Sequence, residues 1–155
     1  MDCVDCYESP LGPLWLTGTE GILTGLSFSE PGESCIPGSF DGAKHWLDDY
    51  FQGIPREIDF SLSPKGTVFQ KLIWNLLLEI PYGKTATYGE LARRAAAELG
   101  REKMSAQAVG QAAHHNPIAI IIPCHRLVGA GGNLTGYASG LDRKRWLLNH
   151  EQEEL

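Results

Sequence analysis

The sequence lacks any apolar run long enough to cross a membrane. Its longest, residues 118–122, holds five residues, where a spanning helix needs about 20. The opening MDCVDCYESP has neither a positive n-region nor an apolar h-region, so no secretory leader is expected. Without export, the four Cys are expected to be reduced thiols rather than a disulfide frame. There is no G-x-x-x-x-G-K-[ST], G-x-G-x-x-G or G-x-S-x-G, which leaves nucleotide cofactors and serine hydrolysis without support. No repeat is visible, and the 18 Gly and 9 Pro follow no period, which excludes collagen-like and low-complexity classes. Positive charge is scarce in one region only. Residues 1–63 carry Lys44 and Arg56 against 11 Asp/Glu, whereas residues 64–155 carry 11 Lys/Arg against 8 Asp/Glu. The second half can meet a polyanion while the first half faces away; charge scatter between two halves fits these counts equally well.

What is present is an ordinary globular composition. The chain has 155 residues, 43% apolar and 21% charged, enough for one domain or two small ones. Residues 14–17 and 22–28 read as strands around a turn at 18–21. Residues 29–39 read as a loop. Trp46, Leu47, Tyr50 and Phe51 fall at helical spacing over 40–51, and Ile58, Phe60 and Leu62 alternate as one more strand would. Beyond Pro64 the pattern turns helical. Val68, Phe69, Leu72, Ile73, Leu76, Leu77 and Ile80 form one apolar face. Thr87 with Glu90 has capping-box spacing and opens a helix to Leu99. Ser105 can cap the next helix, and Asn116-Pro117 stops it. Residues 118–122 read as a buried extended segment, 129–140 as a glycine-rich loop, and Ser139 with Asp142 as the cap of a last helix. The expected division is 1–63 and 64–155.

Four features can carry chemistry. Cys124 follows an apolar segment and Pro123 and precedes His125 and Arg126, two cations or bases that favour a thiolate. A buried inert Cys beside a surface His-Arg fits the same letters. Glu151, at the end of the last helix, can fold back to orient His125; a solvated acidic tail is the alternative. The helices at 87–99 and 105–114 make a helix-turn-helix candidate, and an ordinary helical hairpin is the alternative. Its second helix carries Ala and Gly with Gln107, Gln111, His114 and His115. Cys3 and Cys6 form C-x-x-C at an end expected to fray, and a zinc site with Cys35 and His45 has poor ligand spacing, so no metal is expected.

Asn116-Pro117, an apolar segment and Pro123-Cys124-His125-Arg126, in that order, strongly resemble the methylated-DNA–protein-cysteine methyltransferases, or O6-alkylguanine-DNA alkyltransferases. The likeness continues through residues 134–137 and 143–151. Upstream it includes Gly66, Phe69, Gln70, Trp74, Pro81-Tyr82-Gly83 and residues 87–92, about 85 residues in all. Residues 9–12 ahead of a hairpin are similar to the family's N-terminal domain.

The resemblance implies an α+β protein. A small N-terminal antiparallel sheet with a helix would be ribonuclease-H-like, and a mostly helical C-terminal domain would carry the helix-turn-helix. It implies single-turnover transfer of the alkyl group from O6-alkylguanine in double-stranded DNA, with O4-alkylthymine as a second candidate substrate, to Cys124. His125 matches the base that deprotonates the thiol through a water, and Glu151 the carboxylate that polarises it. Asn116 matches the tie between recognition helix and active-site turn, and Tyr88 the phenol on the flipped base. Ser105, Gln107, Ala108, Ala113, Arg126, Leu127, Tyr137 and Ala138 match DNA- or substrate-binding positions. No cofactor, membrane or obligate protein partner is implied, and a cytoplasmic, nucleoid-associated monomer is expected. Three departures stand out. Gln107 occupies the place of the family's Arg finger, so weaker base flipping and DNA affinity are expected. The turn over residues 96–103 is long, and its Arg101 and Lys103 can reach phosphate. Ala113 and Ala138 leave a roomier pocket. Rival readings are a binding-only alkyltransferase-like lesion recogniser, which would replace the Cys, a helix-turn-helix regulator with an alkylation-sensing Cys124, and a cysteine hydrolase, which would need an oxyanion hole.

Overall fold

The structure, a computed structural model, describes residues 2–32, 35–134, 137 and 140–152. The chain packs as two units: one runs through Lys65 and takes in Pro117–Ala119, and the other comprises Gly66–Asn116 and the described residues from Ile120 on.

The first unit is a sheet of order β3-β2-β1-β4 with one helix. β1 (Cys3–Ser9) and β2 (Gly12–Thr19) are antiparallel, as are β2 and β3 (Ile22–Ser27). Both connections are tight. At the second, Glu20 (φ 53°) and Gly21 (φ 80°) are both left-handed, the requirement of a two-residue hairpin turn that matches strand twist. Directly paired residues share a face, so Asp5 and Tyr7 lie with Leu16 and Leu14, their partners. That face is covered by α1 (Asp41–Phe51). Tyr7 donates to Asp48 at 2.7 Å, and Asp5 accepts from the backbone of Phe40 at 3.1 Å and from Lys44 at 3.3 Å. Leu14, Leu16, Leu23, Leu26, Trp46, Leu47 and Tyr50 form the core beneath.

Several expectations need correction here. Cys3 and Cys6 do not lie on a frayed end; they sit in a fully paired strand. Three residues apart along a strand puts them on opposite faces, about 10 Å apart, so this C-x-x-C cannot chelate. Among the described residues no group of three or more His, Cys, Asp or Glu is placed to hold a metal. The loop after β3 contains a two-residue strand, β4 (Ile36–Pro37), parallel to β1, so the sheet is not purely antiparallel. Residues 58–62 form no strand; Leu62 makes one bridge to Leu23.

The second unit is helical. α2 (Val68–Leu78) and α3 (Tyr88–Leu99) each begin on a capping box, Thr67 with Gln70 and Thr87 with Glu90. Ser105 caps α4 (Ala106–His114) by accepting from the backbone of Ala108. α2, α3 and α4 pack on one another through Ile73, Trp74, Leu77, Leu91, Ala95, Val109 and Ala112. Trp74 is buried and its indole N–H donates to the Ala112 carbonyl at 2.9 Å. Burying an aromatic of that size contributes on the order of 3 kcal/mol, and its hydrogen bond fixes α4 against α2. α3 ends at Gly100 in the left-handed region (φ 67°), and Gly100 to Ser105 connect it to α4, a longer turn than the usual three or four residues of a helix-turn-helix. A two-stranded parallel ladder, β5 (Ala86–Thr87) with β6 (Leu127–Val128), and α5 (Leu141–Gln152) complete the unit. The expected Ser139 cap of α5 lies outside the described residues.

Residues 118–122 are buried as expected but are not a strand. Ile118 makes a single bridge to Leu26, and the rest turn, with Ile120 at φ 69°. A β-branched residue there costs roughly 1–3 kcal/mol, held by complete burial of its side chain. The run is as apolar as a core strand, and periodicity alone does not separate the two.

Candidate active site

Local backbone chemistry sets the nucleophile. Pro123 has φ −83° and ψ 65°, the geometry of an inverse γ-turn, and the Cys124 N–H donates to the Ile122 carbonyl at 2.8 Å. Cys124–Arg126 then form one turn of 3-10 helix leading into β6. Asn116, just past the end of α4, donates to the same Ile122 carbonyl at 2.8 Å and to the Cys124 sulfur at 3.2 Å. One carboxamide thus ties the helix-turn-helix to the nucleophile's turn.

Behind the turn, the last turn of α5 brings in Glu151, whose side chain is 1% exposed. His125 Nε2 lies 2.6 Å from Glu151 Oε2, and Arg126 donates through Nε to Oε1 at 2.8 Å and through Nη2 to Oε2 at 3.1 Å. The Gly83 N–H adds a fourth hydrogen bond at 3.1 Å. Gly83 has φ 79°, a left-handed conformation that favours glycine. This accounts for the glycine of the Pro81-Tyr82-Gly83 motif. Burial pushes the Glu151 carboxyl up, but His125 and Arg126 outweigh it and hold its pKa at about 2. Burial pushes the His125 imidazole down against the pull of Glu151, so at neutral pH Arg126 is the lasting cation in the cluster. An ionised carboxylate only accepts. His125 therefore carries its proton on Nε2 and presents a basic lone pair at Nδ1, a buried atom with no partner among the described residues.

The sequence reading gave Arg126 and Leu127 to DNA or substrate. The structure corrects both. Arg126 is 8% exposed and its third nitrogen donates to the Ile80 carbonyl at 2.7 Å, so all three nitrogens are turned inward to partners within the protein. The Leu127 side chain is fully buried. Nor do His125 and Arg126 supply the charge on the thiol. Burial raises the Cys124 pKa, and it is lowered by the Asn116 hydrogen bond, then by the charge of Lys144 and by a hydrogen bond from the backbone of Cys124 itself. Sequence reasoning missed Lys144, which stands inside Arg143-Lys144-Arg145 as part of an apparent surface charge run. The missed signal is periodicity: Lys144, Leu147 and Glu151 fall at i, i+3 and i+7, the buried face of α5. Lys144 is fully buried, donates to the Leu127 carbonyl at 2.6 Å and lies 5.9 Å from the centroid of the Tyr88 ring.

Lys144→Met is expected to raise the Cys124 pKa further and to slow thiol alkylation by iodoacetamide at neutral pH about tenfold, with the rate–pH profile displaced to higher pH. A purely structural role for Lys144 would lower stability and leave the profile where it is.

The remaining positions fall around this centre. Tyr88, the first residue of α3, lies against α4 at Gly110. Tyr137 is 8% exposed, and its hydroxyl is buried without a partner among the described residues. Burial and the neighbouring Cys124 both push its pKa well up, so it stays a neutral donor. Ala113 is buried and Ala108 half-buried on α4, while Gln107 and Ser105 are exposed at its start. Ala138 lies outside the described residues. No helix among the described residues is long and apolar enough to cross a membrane.

Comparison with known proteins gives the same picture for both halves. The family model described as 6-O-methylguanine DNA methyltransferase, ribonuclease-like domain, matches residues 4–64, and the one described as 6-O-methylguanine DNA methyltransferase, DNA binding domain, matches residues 68–153. A methylated-DNA–protein-cysteine methyltransferase of Methanosarcina acetivorans is 48% identical over 153 residues, covering 94% of this chain and 95% of its own. One from Mycobacterium tuberculosis is 47% identical over 152 residues, covering 94% and 89%. The crystal structure of the Mycobacterium tuberculosis O6-methylguanine methyltransferase superposes with a TM-score of 0.86 at 44% identity, covering 100% of this chain and 95% of that one. The Mycobacterium tuberculosis OGT in complex with DNA gives 0.84 at 46%, covering 95% and 91%. With both domains matched in order and such relatives aligned along nearly its whole length, the chain belongs to the 6-O-methylguanine DNA methyltransferase family.

Proposed function

We propose that this protein repairs DNA by moving the alkyl group of O6-alkylguanine onto its own Cys124, once per molecule. The observation that carries this reading is the buried Glu151–His125 pair adjoining a thiol that already accepts a hydrogen bond from Asn116. A stacked guanine keeps its O6 out of reach of such a thiol, so the base must be flipped out, with α4 lying along the minor groove. His125 takes the thiol proton at Nδ1, by way of a water. The sulfur attacks the alkyl carbon as the bond from carbon to O6 breaks, and that electron pair leaves with the guanine. Tyr88 donates a hydrogen bond to the departing base, and Tyr137 and Ala113 line the pocket that receives it. Glu151 and Arg126 act through His125 as positioning residues. The product is a thioether, whose carbon–sulfur bond has no good leaving group, so the thiol is not regenerated. The same displacement fits O4-alkylthymine. With duplex DNA as its substrate, the protein is taken to work in the cytoplasm on the nucleoid. The presence of Cys124 argues against the binding-only reading.

A duplex carrying one O6-methylguanine inside a restriction site tests the reading. Restored cleavage should rise in a burst equal to the moles of protein and then stop. Continued turnover would favour a hydrolytic enzyme, and no restoration would favour a recogniser.

Gln107, in place of the family's Arg, lowers the affinity for DNA. It sits exposed near the start of α4, where an Arg would bring a cation and more donors. Gln107→Arg is expected to tighten duplex binding several-fold at 0.1 M salt and to steepen the salt dependence by about 0.9. Unchanged affinity and transfer rate would remove Gln107 from the account.

A further inference from the structure

The recognition helix of this protein has no fixed positive charge. Between Ala106 and His114, α4 exposes Gln107, Gln111 and His114 and carries no Lys or Arg. Most of the affinity of a duplex-binding protein comes from phosphates neutralised by cations, so those cations must lie elsewhere. The helix-turn-helix holds four: Arg93, Arg94, Arg101 and Lys103. Arg94 is engaged in an ion pair with Glu79. The other three line one surface depression of about 500 Å³ between α3, the long turn and the first residue of α4, Ala106. All three are exposed. Among the described residues, Arg101 and Lys103 make no ion pair or side-chain hydrogen bond. Arg93 has an electrostatic contact with Glu90, whose carboxylate is already held by the Thr87 N–H at 2.8 Å. One carboxylate, Glu102, lines the depression against these three cations. Its lining includes Gly89 and Ala92, small enough for a polymer backbone to approach closely.

We propose that Arg93, Arg101 and Lys103 form a phosphate clamp on the DNA backbone beside the start of α4, and that the long turn supplies the ionic anchoring α4 lacks. This rests on the reading of the protein as acting on duplex DNA. The clamp separates two tasks. Arg93, Arg101 and Lys103 hold the backbone without regard to sequence or lesion, while α4 presents neutral carboxamides to the groove. Phosphate contacts fix position and orientation and carry no base information directly, so loss of the clamp weakens binding to damaged and undamaged duplex alike.

The test is the salt dependence of binding for a lesion-bearing and an unmodified duplex between 50 and 200 mM salt. It compares the wild type, Arg101→Ala/Lys103→Ala and Arg93→Ala. Alkyl transfer from the free base O6-benzylguanine, which has no phosphate, is measured alongside. Each lost contact should lower the slope of log K against log salt by about 0.9. The double variant should therefore lose about 2 and the single variant about 1, equally on both duplexes, with free-base transfer unchanged. A wild type that binds duplex while the variants keep its slope and affinity would overturn the clamp and leave the functional reading intact. A loss confined to the lesion duplex would also overturn it, because phosphate contacts do not see the lesion. A wild type that binds no duplex would overturn both.

Discussion

Cys124→Ser is expected to abolish alkyl transfer, by more than about 10³-fold, while binding to the lesion duplex stays within a few-fold of the wild type. A hydroxyl holds its proton far more tightly than a thiol, and neutral His125 cannot remove it to any useful extent. Asn116 donates to the sulfur and can donate to an oxygen in its place, while the Lys144 charge acts on either atom through space. Cys3, Cys6 and Cys35 remain in this variant, so any transfer that survives would belong to one of them. Guanine restoration and gel-shift titration on the same preparation give both readings. Parallel loss of binding and transfer would mean that the substitution disturbs the fold, and Cys124→Ala then serves as the second variant.

Glu151→Gln is expected to have the largest effect on stability. Arg126 is nearly buried and gives two hydrogen bonds to this carboxylate. Removing one partner of a buried pair leaves the other charge uncompensated, a loss of about 3–5 kcal/mol. Transfer should fall as well, roughly 10²-fold or more, because a neutral amide neither fixes the His125 tautomer as firmly nor stabilises the imidazolium that forms. Acid unfolding separates the charge from the shape of the side chain. The folded Glu151 pKa of about 2 lies below the usual carboxylate value. Its stabilisation is therefore complete above about pH 4.5 and is lost as pH falls toward 2. His125 works in the same direction. Its folded pKa lies below its ordinary value, so protonation favours the unfolded chain and stability declines as pH falls below about 6.5. The wild type should lose stability steeply between pH 4.5 and 2, and Glu151→Gln should show a much flatter dependence in that window. Equal slopes in the two proteins would mean that the carboxylate is not the group that titrates.

The parts of the chain that the sequence made legible are those where local chemistry decides the structure. Thr87 with Glu90 and Ser105 ahead of an Ala-rich run announce helix starts because they satisfy backbone donors within a few residues. The Pro123-Cys124-His125-Arg126 turn could be picked out for the same reason, since Pro123 fixes the backbone just before the thiol. Features set by distant partners were not legible. Strand β1, CVDCYES, mixes acids and thiols, and only its pairing with β2 and the cover of α1 make it a strand. Ile120 turns left-handed where its neighbours suggest an extended run. Arg126 reads as a surface cation beside a nucleophile, yet it is held inward by a carboxylate 25 residues away. Lys144 reads as one member of a charge run, yet it is buried on α5, and its charge lowers the Cys124 pKa. In both cases the residue type was visible and its direction was not, because side-chain direction came from a helix that closes over the turn from the far end of the chain.

The most direct test is the mass of the intact protein after mixing with a duplex that holds one O6-methylguanine, followed by peptide mapping. The account predicts a gain of one methyl group per molecule, located on Cys124, with the DNA returned to guanine. An unchanged mass despite tight binding to the lesion, or a methyl group on any residue other than Cys124, would contradict it.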